Sequence, residues 1–434
     1  MSNEHPFEML FEALGRLPKA HAEPVNRRAY DILHGVLSVP LEKSGCCILL
    51  RAPRAGHGKT HLLSRIQHQL GSSHEFIPLR PVFGCQIDAA TVVDDALRHL
   101  QRPLPAAGGL CVLDTVARRL FASALQPLIA SGEVPSQDRE GAITALRVRP
   151  IETFDFHDPN AVTAQWTHEN FEVLGQRLSA ELAQSCDLPL GDVAFWVDAL
   201  FHFAAAPLEN PTRLRILAET VRAGNPNPAV MMGRLEALLG MLSQLVRVVL
   251  VADELEGYST DGPAALRLAA FLASLRHSVA RLHVILSLNQ DVWENAFAPR
   301  LSDGLADRIS EVVVEMTPLT EQEIVALFES RVPGLGARLL SRVDLSTAGT
   351  HARGLIRAAG IAWVKASAMD SLTSAPSAPS AIPNPSNETK TATSSDPEAA
   401  NQSTILPELP ETPDATRVDD LMQQFRAQYG LNPP

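Results

Sequence analysis

Cys46-Cys47-Ile48-Leu49-Leu50-Arg51-Ala52-Pro53-Arg54-Ala55-Gly56-His57-Gly58-Lys59-Thr60-His61-Leu62-Leu63 runs from a short apolar strand through a tight glycine-bearing loop into an amphipathic helix. That order suits a phosphate-binding loop. Backbone N–H groups of the loop and the first helical turn converge on an anion, and the helix dipole adds to them. The candidate contacts are Gly56, His57, Gly58, Lys59, Thr60 and His61. Lys59, expected to stand exposed in the loop, has the reach for β- and γ-phosphates, and the Thr60 hydroxyl can ligate Mg²⁺. The pattern G-x-x-x-x-G-K-[ST] is met except at its first glycine, where Pro53 stands. Proline fixes φ without offering an N–H, so that corner of the loop has to turn differently.

A second run supplies what such a loop needs. Leu245-Val246-Arg247-Val248-Val249-Leu250-Val251-Ala252-Asp253-Glu254 is almost continuously apolar, rich in β-branched residues, and ends in two carboxylates. This is the pattern of a central parallel strand with acids at its carboxyl end, where ligands sit in open α/β sheets. Asp253 is the candidate holder of Mg²⁺, through water, and Glu254 the group that orients or activates an attacking water. A further apolar strand over residues 282–288 ends in Asn289, whose amide is placed to reach a γ-phosphate or its water.

Length and composition bound the reading. At 434 residues the chain has room for two domains, or for one with a large insertion. A hydrophobic content of 45% with 20% charged residues is that of an ordinary globular chain. The net charge of −12 argues against a protein that coats nucleic acid through its overall field. Arg118-Arg119 is too small a pair to form a local basic patch, so a DNA partner stays open without support. The five cysteines, Cys46, Cys47, Cys85, Cys111 and Cys186, include no C-x-x-C pair and read as buried thiols of a reducing compartment. No basic-then-apolar leader and no run of about 18 apolar residues is present. The expectation is a cytoplasmic protein without a membrane span.

Around these motifs the chain reads as mostly helical. Helices are expected over residues 6–17 and 25–38, then 88–100, 110–131, 168–184, 190–205, 210–223 and 228–246. Further helices are expected over 263–279, 320–331 and 351–367, and strands over 76–83 and 312–316. Pro78 and Pro81 suit an edge position for the first of these strands. Gly132–Asn160 reads as a solvated loop. Its Glu152, Asp155, His157 and Asp158 lack the second ligand pair that a metal site requires. Residues 61–252 separate the two motifs, far more than a strand, a helix and a strand need. About 140 residues of helical insertion therefore sit beside the sheet. Residues 368–413, dominated by Ser, Pro, Ala, Thr and Asn, cannot bury a core and read as disordered. Residues 414–430 place Val418, Leu421, Met422, Phe425 and Tyr429 on one helical stripe.

In order and kind these motifs resemble the AAA+ ATPases, over roughly residues 26–99 and 245–367. Gly58-Lys59-Thr60 resembles the Walker A core and Val248–Glu254 the Walker B strand with its glutamate. The resemblance implies a P-loop α/β fold, a parallel sheet flanked by helices, with a helical insertion and a small helical lid. It implies ATP and Mg²⁺ as ligands and hydrolysis as the activity, with Asn289 as the first sensor. Arg308, in Ala306-Asp307-Arg308-Ile309, is similar to an arginine finger that serves a neighbouring subunit, hence a homo-oligomer. Arg353, in Gly349-Thr350-His351-Ala352-Arg353-Gly354, is similar to the second sensor of the lid. The general style is similar to the replication-initiator and STAND-like branches. A nucleotide-sensing regulatory adaptor and a DNA-associated initiator or transposition-type regulator, each with little turnover, stay open as alternatives. No winged helix follows the lid, which weakens the DNA reading. A protein partner would engage the helical insertion or the carboxyl-terminal helix. The expected division is an ATPase core over 1–318 with its insertion at about 103–245, a lid over 319–367, a linker over 368–413 and a helix over 414–430.

Overall fold

In the computed structural model, the structure describes residues 5–8, 14–16, 20–82, 86–104, 109–223 and 226–373. The chain divides into two compact units, Met1–Trp363 and Val364–Pro434. The sheet and the site belong to the first. The centre of the fold is a sheet of five parallel strands, β1 (Cys47–Ala52), β2 (His74–Leu79), β3 (Arg247–Ala252), β4 (His283–Asn289) and β5 (Val312–Glu315), in the order β2-β3-β4-β1-β5. β1 lies inside the sheet, with Leu49 opposite Leu286 on one side and Val313 on the other. β2, with Pro78, takes an edge, where a residue lacking an N–H costs no ladder bond.

Side-chain alternation along the strands builds two layers. Ile48, Leu50 and Ala52 of β1 pack with Val249, Val251 and Ile285 against α1 (Arg27–Leu37) and α2 (Lys59–Leu70). Cys47 and Leu49 pack on the opposite face with Val248, Leu250, Val284 and Leu286. On that face α3 (Ala89–Leu100) packs on β2. The helices α4 (Val112–Ser131), α5 (Arg139–Val148), α6 (Pro150–Thr153), α7 (Val162–Cys186), α8 (Leu190–Ala205) and α9 (Arg213–Arg222) form an outer layer that shares the same core, and α10 (Pro228–Leu245) returns to pack on β3. α11 (Gly262–Ser278) packs there as well, and the short α12 (Gln290–Val292) and α13 (Asp303–Ile309) follow β4. The chain steps from β1 outward to β2, then returns through β3 and β4, passing over β1 to β5. Crossovers of one hand that step in opposite directions place their helices on opposite faces, and so α2, beside α1, lies on the face away from the later crossover helices. The reversal occurs at the carboxyl end of β1, which opens a crevice there.

The helix starts are set locally. Asp88 caps α3 in a reciprocal box with Thr91, and Asn227 caps α10 ahead of Pro228. Asp261 caps α11 ahead of Pro263. Thr320 and Glu323 form the capping box of α14 (Glu321–Glu329). These side chains accept from the free N–H groups of each first turn. The helices α14, α15 (Gly336–Leu340), α16 (Leu345–Ala348) and α17 (Ala352–Thr373) gather around a small core of Phe328, Leu339, Leu355 and Ala359.

Two expectations change in the fold. Residues 132–160 are not a solvated loop: they hold α5 and α6, and Phe154 and Phe156 are buried against Phe121 and Phe201. Asp155 accepts from the buried Arg118 at 2.7 Å, because a guanidinium taken out of water needs a partner. Helix α17 passes the boundary expected at residue 367 and ends at Thr373, since an Ala-rich stretch extends a helix at little cost. The helix expected over 6–17 lies largely outside the described residues, although Phe7 is buried edge-on to Phe328. The linker from 374 and the stripe over 414–430 lie wholly outside them, as does Cys85. Among the described residues, no helix is long and apolar enough to cross a membrane, and no group of His, Cys, Asp or Glu is arranged to hold a metal ion on its own.

At the amino end of β4, His283 is 1% exposed and accepts from the Cys46 N–H at 3.1 Å. Burial first, then the nearby Arg247, pushes its pKa down to about 3. Between pH 6.5 and about 3 the unfolded chain therefore binds a proton that the folded chain refuses. The stability held by this neutral imidazole is complete above that window and is lost as pH falls through it. Unfolding midpoints followed against pH should fall more steeply in the parent than in His283→Gln. Equal slopes would reject the assignment.

Candidate functional site

The loop after β1 turns through two left-handed residues, Gly56 (φ +93°) and Gly58 (φ +96°), where a side chain would be strained. A Cβ on Gly56 would also lie 2.8 Å from that of Arg353. The loop is tied on two sides. Asn26 Nδ2 donates to the His57 carbonyl at 3.2 Å, and the Arg353 N–H donates to the Gly56 carbonyl at 3.0 Å. Lys59 is thereby the first residue of α2, with its side chain turned over the carboxyl ends of the strands.

Four hydrogen bonds join side chains that are remote in sequence. Thr60 Oγ1 donates to Asp253 Oδ2 at 2.7 Å, across 193 positions. Ser287 Oγ donates to the other oxygen of the same carboxylate at 2.7 Å. Lys59 Nζ donates to Asn289 Oδ1 at 2.5 Å, and Asn289 Nδ2 donates to Glu256 Oε1 at 3.1 Å. Lys59 is not exposed as expected. It is 9% exposed, and burial lowers its pKa despite the opposing pull of Asp253 and Glu256. The lysine folds back because Asn289, on the neighbouring β4, offers it an acceptor.

Beyond Asp253 the chain reverses at Glu254, whose φ of +59° is left-handed, an uncommon setting for a residue with a side chain. The buried Leu255 and Tyr258 then anchor a short 3₁₀ turn over Leu255–Thr260 that carries Glu256. His57 is buried and stacks on His351, with ring centroids 5.8 Å apart. Burial, then the charges of His351 and Lys59, pushes its pKa down to about 4, so it is neutral at neutral pH. Beside these groups lies a cavity of about 250 Å³. Its lining includes Gly56, His57, Gly58, Lys59, Thr60 and His61, together with Asp253, Glu254, Glu256 and Arg353.

Of the residues expected at the site, Asn289 lies buried behind Lys59, and Arg353 reaches the cavity from the start of α17. Arg308 does not join them: it is exposed in the last turn of α13 (Asp303–Ile309), away from the cavity lining. Ser287, Glu256, Asn26 and His351 were not anticipated. Ser287 and Asn289 stand two apart on one strand face, and such a polar pair ending an apolar strand is a usable signal. Asn26 leaves no trace in the sequence, since its contact depends on where α1 meets the loop.

The donor set suits Mg²⁺. A threonine hydroxyl and one carboxylate in contact are hard oxygen donors, and Mg²⁺ is held by one or two carboxylates together with substrate phosphates rather than by a closed protein cage. The class defined by the fold is α/β, with a five-stranded all-parallel sheet flanked by helices. Compared with known proteins, the chain matches no family model, no curated protein and no solved structure.

Proposed function

We propose that the chain is an AAA+-like ATPase that binds ATP with Mg²⁺ and hydrolyses it. The observation that carries this reading is the 2.7 Å contact between Thr60 and Asp253, which joins the two ends of the motif at the carboxyl edge of the sheet. Backbone N–H groups at the start of α2 favour the triphosphate, and Lys59 supplies a cation beside it. Thr60 and Asp253 would hold the Mg²⁺, which would supply charge neutralisation at the phosphates. Ser287 keeps the Asp253 carboxylate turned toward Thr60. Glu254 takes the proton of the attacking water, and Arg353 meets the phosphates from the lid side. An exposed Arg308 outside the cavity serves as a finger only through a second copy of the chain, so a homo-oligomer belongs to the same proposal. ATP-driven closure of the carboxyl-terminal helices is the motion through which it would switch or drive an assembly.

Calorimetry of ATP binding with and without Mg²⁺ tests the reading. The parent chain should bind ATP more tightly when Mg²⁺ is present. Thr60→Val, which keeps the shape and removes one ligand oxygen, should lose most of that gain, about 10-fold. No binding by the parent, or a Mg²⁺ effect unaltered in Thr60→Val, would overturn it.

A further inference from the structure

Glu256 is part of neither the loop nor the strand-end acid pair, yet its carboxylate accepts from Asn289 Nδ2 at 3.1 Å while Asn289 Oδ1 accepts from Lys59 at 2.5 Å. We propose that Glu256 is a positioning residue for turnover, which fixes the Asn289 amide so that its carbonyl oxygen, and not its NH₂, serves the reacting side. The inference rests on the ATP-hydrolysing reading above and adds to it a residue and a direction.

An ammonium only donates and a carboxylate only accepts. An amide held between them has one orientation, oxygen to Lys59 and NH₂ to Glu256. In the chain described here both partners enforce it. A triphosphate competes for the Lys59 ammonium, so the lysine's hold on the oxygen weakens when it is needed most. Glu256 then keeps the orientation alone, and Asn289 Oδ1 remains an acceptor for the hydrogen of an attacking water. A flipped amide would instead turn its NH₂ toward the phosphates and leave that water without an acceptor.

The local structure favours such a role. Asn289 is 5% exposed, so its amide has few alternative partners. Glu256 sits on a turn pinned by Leu255 and Tyr258, both buried, so its backbone is fixed although its side chain is exposed. It also lines the cavity, as Asp253 and Glu254 do. The spacing Asp253-Glu254-Leu255-Glu256 gives the two glutamates different tasks: Glu254 meets water and Glu256 sets the amide that holds it.

Steady-state ATP turnover and ATP–Mg²⁺ binding of the full chain test this, in Glu256→Ala, Glu256→Gln, Asn289→Ala and the Glu256→Ala/Asn289→Ala pair. Glu256→Ala should lose about 10- to 100-fold in kcat, the scale of one hydrogen bond to a charged group, with KM unchanged. Glu256→Gln still accepts through Oε1 and should regain most of that loss. The double variant should be no slower than Asn289→Ala alone. Parental kcat in Glu256→Ala overturns the inference and leaves the ATPase reading standing. So does a Glu256→Gln as slow as Glu256→Ala, which would make Glu256 a base, or additive losses in the pair. A parent chain that hydrolyses no ATP overturns the ATPase reading and this inference together. Should Glu256→Ala fold poorly by thermal unfolding, the comparison of Glu256→Gln with the parent decides, since an impaired Gln variant again rejects the positioning role.

Discussion

Glu254→Gln is expected to bind ATP–Mg²⁺ with parental affinity and to turn it over at least ~10²-fold more slowly, the scale of losing a general base. Glutamine keeps the shape of the side chain and the backbone setting, so only basicity is lost. The backbone supplies an independent argument. Glu254 holds φ +59°, and a non-glycine residue kept in a sparsely populated region costs on the order of 1–3 kcal/mol, a cost that collects at functional sites. Glycine adopts the same conformation without strain. Glu254→Gly should therefore raise the unfolding midpoint while turnover disappears, a trade of activity for stability. Steady-state turnover and thermal unfolding on both variants check the pair. A Glu254→Gln chain that hydrolyses at the parental rate would reduce Glu254 to a solvated acid at a strand end.

The parts of this architecture that could be read ahead of the structure were those encoded by local pattern. The apolar β-branched run into Asp253, the apolar run into Asn289 and the loop opening onto Lys59-Thr60 each carry their own signal. The structure places all three at neighbouring strand ends. The long helices were legible because periodicity over about ten or more residues outweighs single exceptions, and the short strands because each is a largely apolar run. Residues 132–160 misled because their decisive feature is non-local. Asp155 reads as a surface acid until Arg118 is known to be buried beside it, and Phe154 and Phe156 alternate like a strand while they fill a gap between helices. A similar limit applies to Lys59. Its exposure depends on whether Asn289 is near enough to accept from it, and 230 positions of chain lie between them.

The burial of Lys59 sets up the other large effect. On the proposed reading, Lys59→Ala should weaken ATP–Mg²⁺ binding by about 10²- to 10³-fold, the cost of removing one partner from a desolvated, hydrogen-bonded charge contact. The fold should not suffer. Burial lowers the lysine's pKa in the folded chain, and the attraction of Asp253 and Glu256 only partly opposes it. A lysine with a depressed folded pKa is more easily charged in the unfolded chain, so at neutral pH its charge works against folding. Removing that charge while keeping the stem, as in Lys59→Met, should leave the unfolding midpoint equal to the parent's or above it. Loss of binding with undiminished stability is the mark of a group kept for its ligand. Calorimetry of ATP binding and thermal unfolding measured on the same preparations give both readings. Unchanged affinity in Lys59→Ala would remove the phosphate-binding assignment of the loop. A marked drop in the stability of Lys59→Met would instead make the Lys59–Asn289 contact a structural bond, with the loop's geometry explained by folding alone.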